Sequence, residues 1–190
     1  MSREIAHSLG FTLDRWEKLL AALPVGLEGP PGPEGQEGPQ GDPGPPEGTA
    51  VILDADVSQS TTSLQDVTGL AYALEPNTLY KFKYLIRFRT AAVGTGIALG
   101  MNGPPSPTFS TFRVETPLSA TAAALQFRRG FNVAVASPSV DAANADCVAQ
   151  IEGVIRTGLA GGTLLPLYAS EVAGSLVTVK QYSCGFLTSL

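Results

Sequence analysis

YKFKYLIRFR, residues 80–89, alternates without interruption. Tyr80, Phe82, Tyr84, Ile86 and Phe88 fall on one side of an extended chain, and Lys81, Lys83, Leu85, Arg87 and Arg89 on the other. Successive strand residues point to opposite faces, so this period of two predicts a β-strand with an apolar inner face and a mostly cationic outer one. Working outward, everything after Gly48 reads as short apolar runs with no long helical period. The expected strands are 50–54, 70–74, 79–90, 96–101, 108–115, 123–128, 132–136, 147–156, 163–170, 176–182 and 185–190. Breakers separate them at Asn102-Gly103-Pro104-Pro105, Ser137-Pro138, Gly158, Gly161-Gly162 and Gly174. So many strands in residues 49–190 predict a mainly β fold, an antiparallel two-sheet sandwich of jelly-roll type.

The chain ahead of this domain has a different period. GLEGPPGPEGQEGPQGDPGPP, residues 26–46, places Gly26, Gly29, Gly32, Gly35, Gly38, Gly41 and Gly44 at every third position, with proline between them. Three polyproline-II chains pack around an axis where no side chain fits, so this register predicts a collagen triple helix and hence a homotrimer. A flexible Gly/Pro linker has no reason to keep the register. Three regions follow: 1–25, a helical anchor; 26–48, a triple-helix stalk; and 49–190, a sandwich head.

Charge follows the same division. The formal net charge of −5 equals the five acids of the stalk, Glu28, Glu34, Glu37, Asp42 and Glu47, because the acids and bases of the other two regions cancel. Three copies form an acidic rod of about 60 Å at about 3 Å per residue, which disfavours nucleic acid as a partner. With no Lys or Arg among them, the triplets cannot form interchain ion pairs, so the flanks are expected to help trimerise the chain. Leu9, Leu13, Trp16, Leu20 and Leu23 recur at 4-3-4-3 spacing, and Thr12 and Pro24 bracket a helix of about three turns. That helix either forms a small trimer core or docks by its Trp16 face on a larger assembly. Without a run long enough to span a bilayer or a secretory pattern at residue 1, the chain is expected to assemble in a cytoplasm, without membrane insertion.

The chemistry available is sparse. His7 is the sole histidine and lies in the N-terminal region, so the head lacks the usual base of a Ser or Cys triad and the usual ligands of a transition metal. Cys147 and Cys184 are expected as small thiols, with a bridge left open. Asp54 with Asp56, and Asp141 with Asp146, lie in or beside turns and read as turn acids in preference to glycosidase or calcium carboxylates. Arg128-Arg129 reads as a strand-end pair. The expectation is a protein that is not an enzyme and carries no metal or cofactor.

The stalk followed by LQDVTGLAYALEPNTLYKFKYLIRFRTAAVGTGIALGMNGP (64–104) and GTLLPLYASEVAGSLVTVKQYSCGFL (162–187) resembles the C-terminal domain recurrent in tailed-bacteriophage fibre and virion-surface proteins. The likeness rests on residues 66–70, Thr95-Gly96-Ile97, Asn102-Gly103-Pro104 and residues 169–175. Its plan is similar to trimeric collagen-plus-jelly-roll spikes and to domains of the tumour-necrosis-factor and complement C1q type. The resemblance implies a homotrimeric virion-surface component attached to a capsid or tail protein through residues 1–24, and supplies no catalytic residues. Two roles fit it. One is a head fibre or capsid decoration protein displaying its heads for adhesion; the alternative is a tail fibre or receptor-binding protein gripping a host glycan or surface protein. Asn102 and Phe109, flanking a Pro-rich loop, are the candidate ligand residues.

Overall fold

In the computed structural model of this chain the described residues are Glu17, Lys18, Ala21, Ala22 and residues 48–190. The chain divides into two units, Met1–Pro43 and Gly44–Leu190. In the first, Glu17, Lys18 and Ala21 are helical, and the Ala22 N–H donates to the Lys18 carbonyl at 3.2 Å, as in an α-helix. The apolar stripe of Leu9, Leu13, Trp16, Leu20 and Leu23 and the stalk glycines lie outside the described residues.

The second unit is built from antiparallel strands: β1 (Thr49–Ile52), β2 (Val57–Gln59), β3 (Gln65–Asp66), β4 (Tyr72–Leu74), β5 (Leu79–Thr90), β6 (Ile97–Asn102), β7 (Phe109–Ser119), β8 (Ala122–Arg128), β9 (Val135–Ala136), β10 (Cys147–Arg156), β11 (Gly162–Ser170), β12 (Val177–Val179) and β13 (Cys184–Ser189). The large sheet runs β1-β13-β5-β10-β7-β8, with β2 and β12 continuing the β1 and β13 positions along the far half of β5. The small sheet runs β3-β11-β6-β9, with β4 continuing the β3 position along β11. Taking β1 with β2, β3 with β4, and β12 with β13 as broken strands, the chain steps from sheet to sheet. Its first and last segments are neighbours in one sheet, and its second and next-to-last are neighbours in the other. This is jelly-roll connectivity with one hairpin, β7–β8, added to the large sheet.

One continuous core joins the two sheets. β5 contributes Phe82, Tyr84, Ile86 and Phe88, and β10 opposes them with Ala149, Ile151 and Ile155; all are buried. The rings form a chain: Tyr72 and Tyr84 have centroids 5.8 Å apart, Phe82 and Phe112 6.4 Å, and Phe112 stacks on Phe131 at 6.2 Å. Gly153 permits this crowding, because a Cβ there would meet the Thr111 carbonyl oxygen at 2.4 Å and Phe112 Cβ at 2.5 Å. The Tyr84 hydroxyl crosses the sandwich to donate to the Leu164 carbonyl at 3.2 Å.

The structure breaks strands where the sequence reads continuity. Residues 70–74 split into a 3-10 turn, Thr68–Leu70, and β4. The cause sits on the neighbouring strand: Pro166 has no N–H, and its carbonyl accepts the Val67 amide at 2.9 Å, so ladder pairing lapses between β3 and β4. Residues 176–182 likewise yield only β12, because the chain turns at Lys180–Ser183 with Tyr182 at φ 67°. The strand expected at 108–115 runs on to Ser119, since Pro117 lies beyond the last β10 pairing and needs no N–H on that side. β2 and β3, three and two residues long, show no alternation that a sequence could reveal.

Replacing Ile151, fully buried at the centre of β10, with Ala should cost about 3 kcal/mol. Tyr84→Phe, which removes the hydroxyl's bond to the Leu164 carbonyl, should cost about 1 kcal/mol. Urea unfolding followed by tryptophan-independent circular dichroism measures both.

Candidate functional site

Thr49, where the chain enters the head, pairs with Leu187, which lies opposite Phe82 near the start of β5. Thr90, the other end of β5, is roughly 27 Å further along at about 3.4 Å per residue. The head therefore has an entry end and a far end.

Three turns of one design meet at the far end. Each closes with an amide three residues after its acceptor: Thr95 to Ala92 at 3.1 Å, Ala145 to Ala142 at 3.4 Å, and Ser175 to Val172 at 3.1 Å. The Thr90 and Ser170 hydroxyls each cap the carbonyl two residues on, that of Ala92 and that of Val172, which is the local bonding that favours Ser and Thr in turns. The turns are tied together by Ala91 to Leu176 at 2.9 Å, Asn144 to Thr90 at 2.8 Å, Val140 to Val93 at 3.0 Å and the Thr95–Ser175 hydroxyl pair at 2.7 Å. Thr90, Thr95, Ser137 and Ser170 are buried in this knot, which holds the exposed Val93, Val172 and Leu176 on a fixed frame.

Beside these turns lies an open cleft of about 250 Å³ lined by Asp56, Ser58, Arg89, Asn144, Leu176, Thr178 and Lys180. Its charges are paired within the chain. Asp56 accepts from Lys180 Nζ and from the Gln181 amide at 2.8 Å, and these two bonds hold its carboxyl below the usual carboxylate range. Asp146 accepts from Arg89 Nε and from Arg87 at 3.1 Å, and is lowered first by the Arg89 bond. Ser58 and Thr178 share a hydroxyl contact of 2.7 Å. Such a surface offers hydroxyls and neutralised ion pairs, suited to an uncharged polar ligand. The same acids are poor proton donors near neutrality, because a low pKa keeps them ionised.

The thiols are structural. Cys147 and Cys184 are both free. Burial, aided by Asp141, pushes Cys147 up to about 11, and burial raises Cys184 as well, so neither is an activated thiolate. The turn acids bond separately: Asp141 receives the Cys147 S–H at 3.7 Å, away from the Arg pairs of Asp146. Arg128 closes β8 by bonding the Phe127 carbonyl and the Gln126 side chain. Among the described residues no group of three or more His, Cys, Asp or Glu gathers around a potential metal position.

Asn102 and Phe109 stand on different sheets, at the two ends of one loop. Asn102 closes β6 opposite Leu165 in the small sheet, whereas Phe109 opens β7 opposite Arg156 in the large one. Their loop packs down, with Pro104 over Gly162 and the Phe131 ring against Gly103, and it lies at the entry end of the head. Phe109 remains half exposed.

A second surface had no signal strong enough to single it out in the sequence. On the outer face of the large sheet one register row reads Ala50, Phe186, Lys83, Glu152, Arg113, Phe127, and the next reads Ile52, Cys184, Leu85, Gln150, Glu115, Leu125. Glu152 pairs with Arg113, and Phe127 walls a depression of about 240 Å³ beside them. The alternation of Leu125 and Phe127 is visible in AAALQFR, but the row they join exists only once the strands pair.

No family model matches the chain, and no curated protein matches it. Solved structures similar to it include the infectious bursal disease virus Gx strain, with 14% identity over 75% of this chain and 41% of that one and a TM-score of 0.24. The Gt strain gives 9% identity over 89% and 50% with a TM-score of 0.22. A mutant VP2 protein of infectious bursal disease virus in derived T=1 particles gives 12% over 75% and 39%, with a TM-score of 0.23. The chain thus spans half or less of the length of these viral chains.

The lowered carboxyls set a direction for pH dependence. A group whose pKa is depressed by folding stabilises fully above its unfolded value and loses that contribution as pH falls through the folded one. The stability advantage of the native chain over Asp56→Ala should therefore be complete at pH 7, begin to fall near the ordinary carboxylate value of about 3.9, and be lost only as pH drops through the lowered folded value. Paired thermal melts across this range measure it, and Gln181 amide exchange should quicken in the variant.

Proposed function

We propose that the chain is a structural, non-enzymatic virion-surface protein of a tailed bacteriophage. It is a trimeric head fibre or capsid decoration protein, seated by residues 1–24 and displaying three sandwich heads for adhesion. The observation that carries this reading is the glycine register of residues 26–46, which ends just before β1 opens a jelly-roll sandwich. A triple helix followed at once by a β-sandwich is the plan of the virion-surface proteins that the sequence resembles. The acidic rod holds the heads clear of the surface below, and many copies on one particle multiply weak contacts.

A tail fibre or receptor-binding role is the second reading, favoured by the polar cleft at the far end of the head. A rigid knot of turns presenting hydroxyls and an exposed Leu176 suits a host glycan or surface protein better than the packed loop at the entry end.

Immunogold electron microscopy with antibody against residues 49–190 should place gold over the capsid. Gold confined to the tail supports the second reading, and unlabelled particles overturn both. Under the second reading Leu176→Ala particles should adsorb to host cells less well while keeping the protein attached; if Phe109→Ala has this effect and Leu176→Ala does not, recognition belongs to the entry-end loop.

A further inference from the structure

The two sheets differ in what lies outside them. β11 is buried on both faces from Leu164 to Ser170, and β6 from Ile97 to Met101. The chain covers them itself: Leu64 Cδ1 and the Val133 carbonyl oxygen stand 3.3 and 3.1 Å from the position of a Cβ on Gly100. No segment among the described residues covers the large sheet in this way. Its outer face carries Ile52 at 56% exposure and Phe186 at 45% along one edge, and Leu125 at 47% and Phe127 at 69% along the other.

Both edges are free, because β1 and β8 end the strand order. Soluble proteins guard such edges with Lys, Glu or Pro. TAVI has no charge, and AAALQFR has one, Arg128 at its end. Between the edges the field is largely neutralised, since Glu152 pairs with Arg113. The two edges, one uncharged and one with a single Arg at its end, are apolar, lie on opposite sides of one sheet and are unlike each other, so they match as a heterologous pair. Such a contact repeated by a three-fold rotation closes into a ring.

We propose that this is the contact between heads: the β8 edge of each copy, with Leu125 and Phe127, docks on Ile52 and Phe186 at the β1–β13 edge of the next. The inference rests on the trimeric reading of the stalk, which supplies the occupant. The last collagen triplet ends at residue 46 and β1 starts at Thr49, a tether of about 10 Å at most. Three β1 edges are thereby held around one axis, at the millimolar effective concentration of short linkers.

The test uses the full chain with Cys184→Ser, so that the partly buried native thiol beside Ile52 cannot compete. Each of Ile52→Cys or Phe186→Cys is combined with Leu125→Cys or Phe127→Cys, and the four double variants are mildly oxidised after sedimentation has fixed their mass. At least one pair should give a covalent trimer on a non-reducing gel, with the single-cysteine variants giving none. A chain that sediments as a trimer while all four pairs stay uncrosslinked overturns this contact and leaves the stalk intact. A chain that sediments as a monomer overturns the stalk reading and the contact together.

Discussion

β5 is the element on which the rest of the head depends. Its twelve residues pair along one side with β10 and along the other with β13 and then β12. Its inward Tyr84, Phe82 and Phe88 are the largest of the fully buried side chains. Pairing on both sides satisfies the strand's backbone groups, and burial of Phe82, Tyr84, Ile86 and Phe88 drives the sheets together. The other strands are shorter or broken because they need only match portions of this one, and breaks in β1–β2 and β12–β13 fall side by side at a single level. There the Leu53 amide donates to the Ser183 carbonyl at 2.8 Å, the Tyr182 amide donates to the Leu53 carbonyl at 2.9 Å, and Asp56 accepts the Gln181 amide.

That arrangement sorts polar and apolar chemistry into different places. At the far end, buried Thr and Ser hydroxyls hold three turns of the same design, so the turn tips are displayed on a rigid frame. The outer face of the large sheet is different: the Glu152–Arg113 ion pair lies toward its middle, and Ile52, Phe186, Leu125 and Phe127 are exposed at its margins. A monomer gains nothing from apolar residues at unguarded edges. In the proposed ring of copies each margin would cover a complementary one and remove both from water.

The collagen register and the sandwich place opposite demands on the chain. A triple helix forbids side chains at every third position and requires three copies, while a sandwich needs large alternating side chains and can be completed by one. On the proposed triple-helix reading of residues 26–46, the two residues that separate that segment from β1 would make its assembly state a constraint on the surface of the head. The charge follows the same division, since residues 49–190 are formally neutral and the five acids between residues 28 and 47 account for the net charge.

Strands β5 and β10 were legible in the sequence to the residue, because each alternates over a long run and is bounded by turn residues. The partners of the turn acids were not legible: Asp56 accepts from Lys180 and the Gln181 amide in a distant turn, and Asp146 pairs with Arg87 and Arg89 of β5. The missing strands were not: β2 and β3 are defined by partners in distant parts of the chain, and two or three residues carry no period. By itself the sequence determined the alternating strands, the glycine register and the poverty of catalytic groups, because these depend on residue type and local spacing. Only the tertiary structure decided that Asn102 and Phe109 lie on different sheets, that Pro166 breaks the strand beside it, and that Ile52, Phe186, Leu125 and Phe127 share one outer face. Those outcomes depend on register between strands far apart in the chain, which local spacing does not encode.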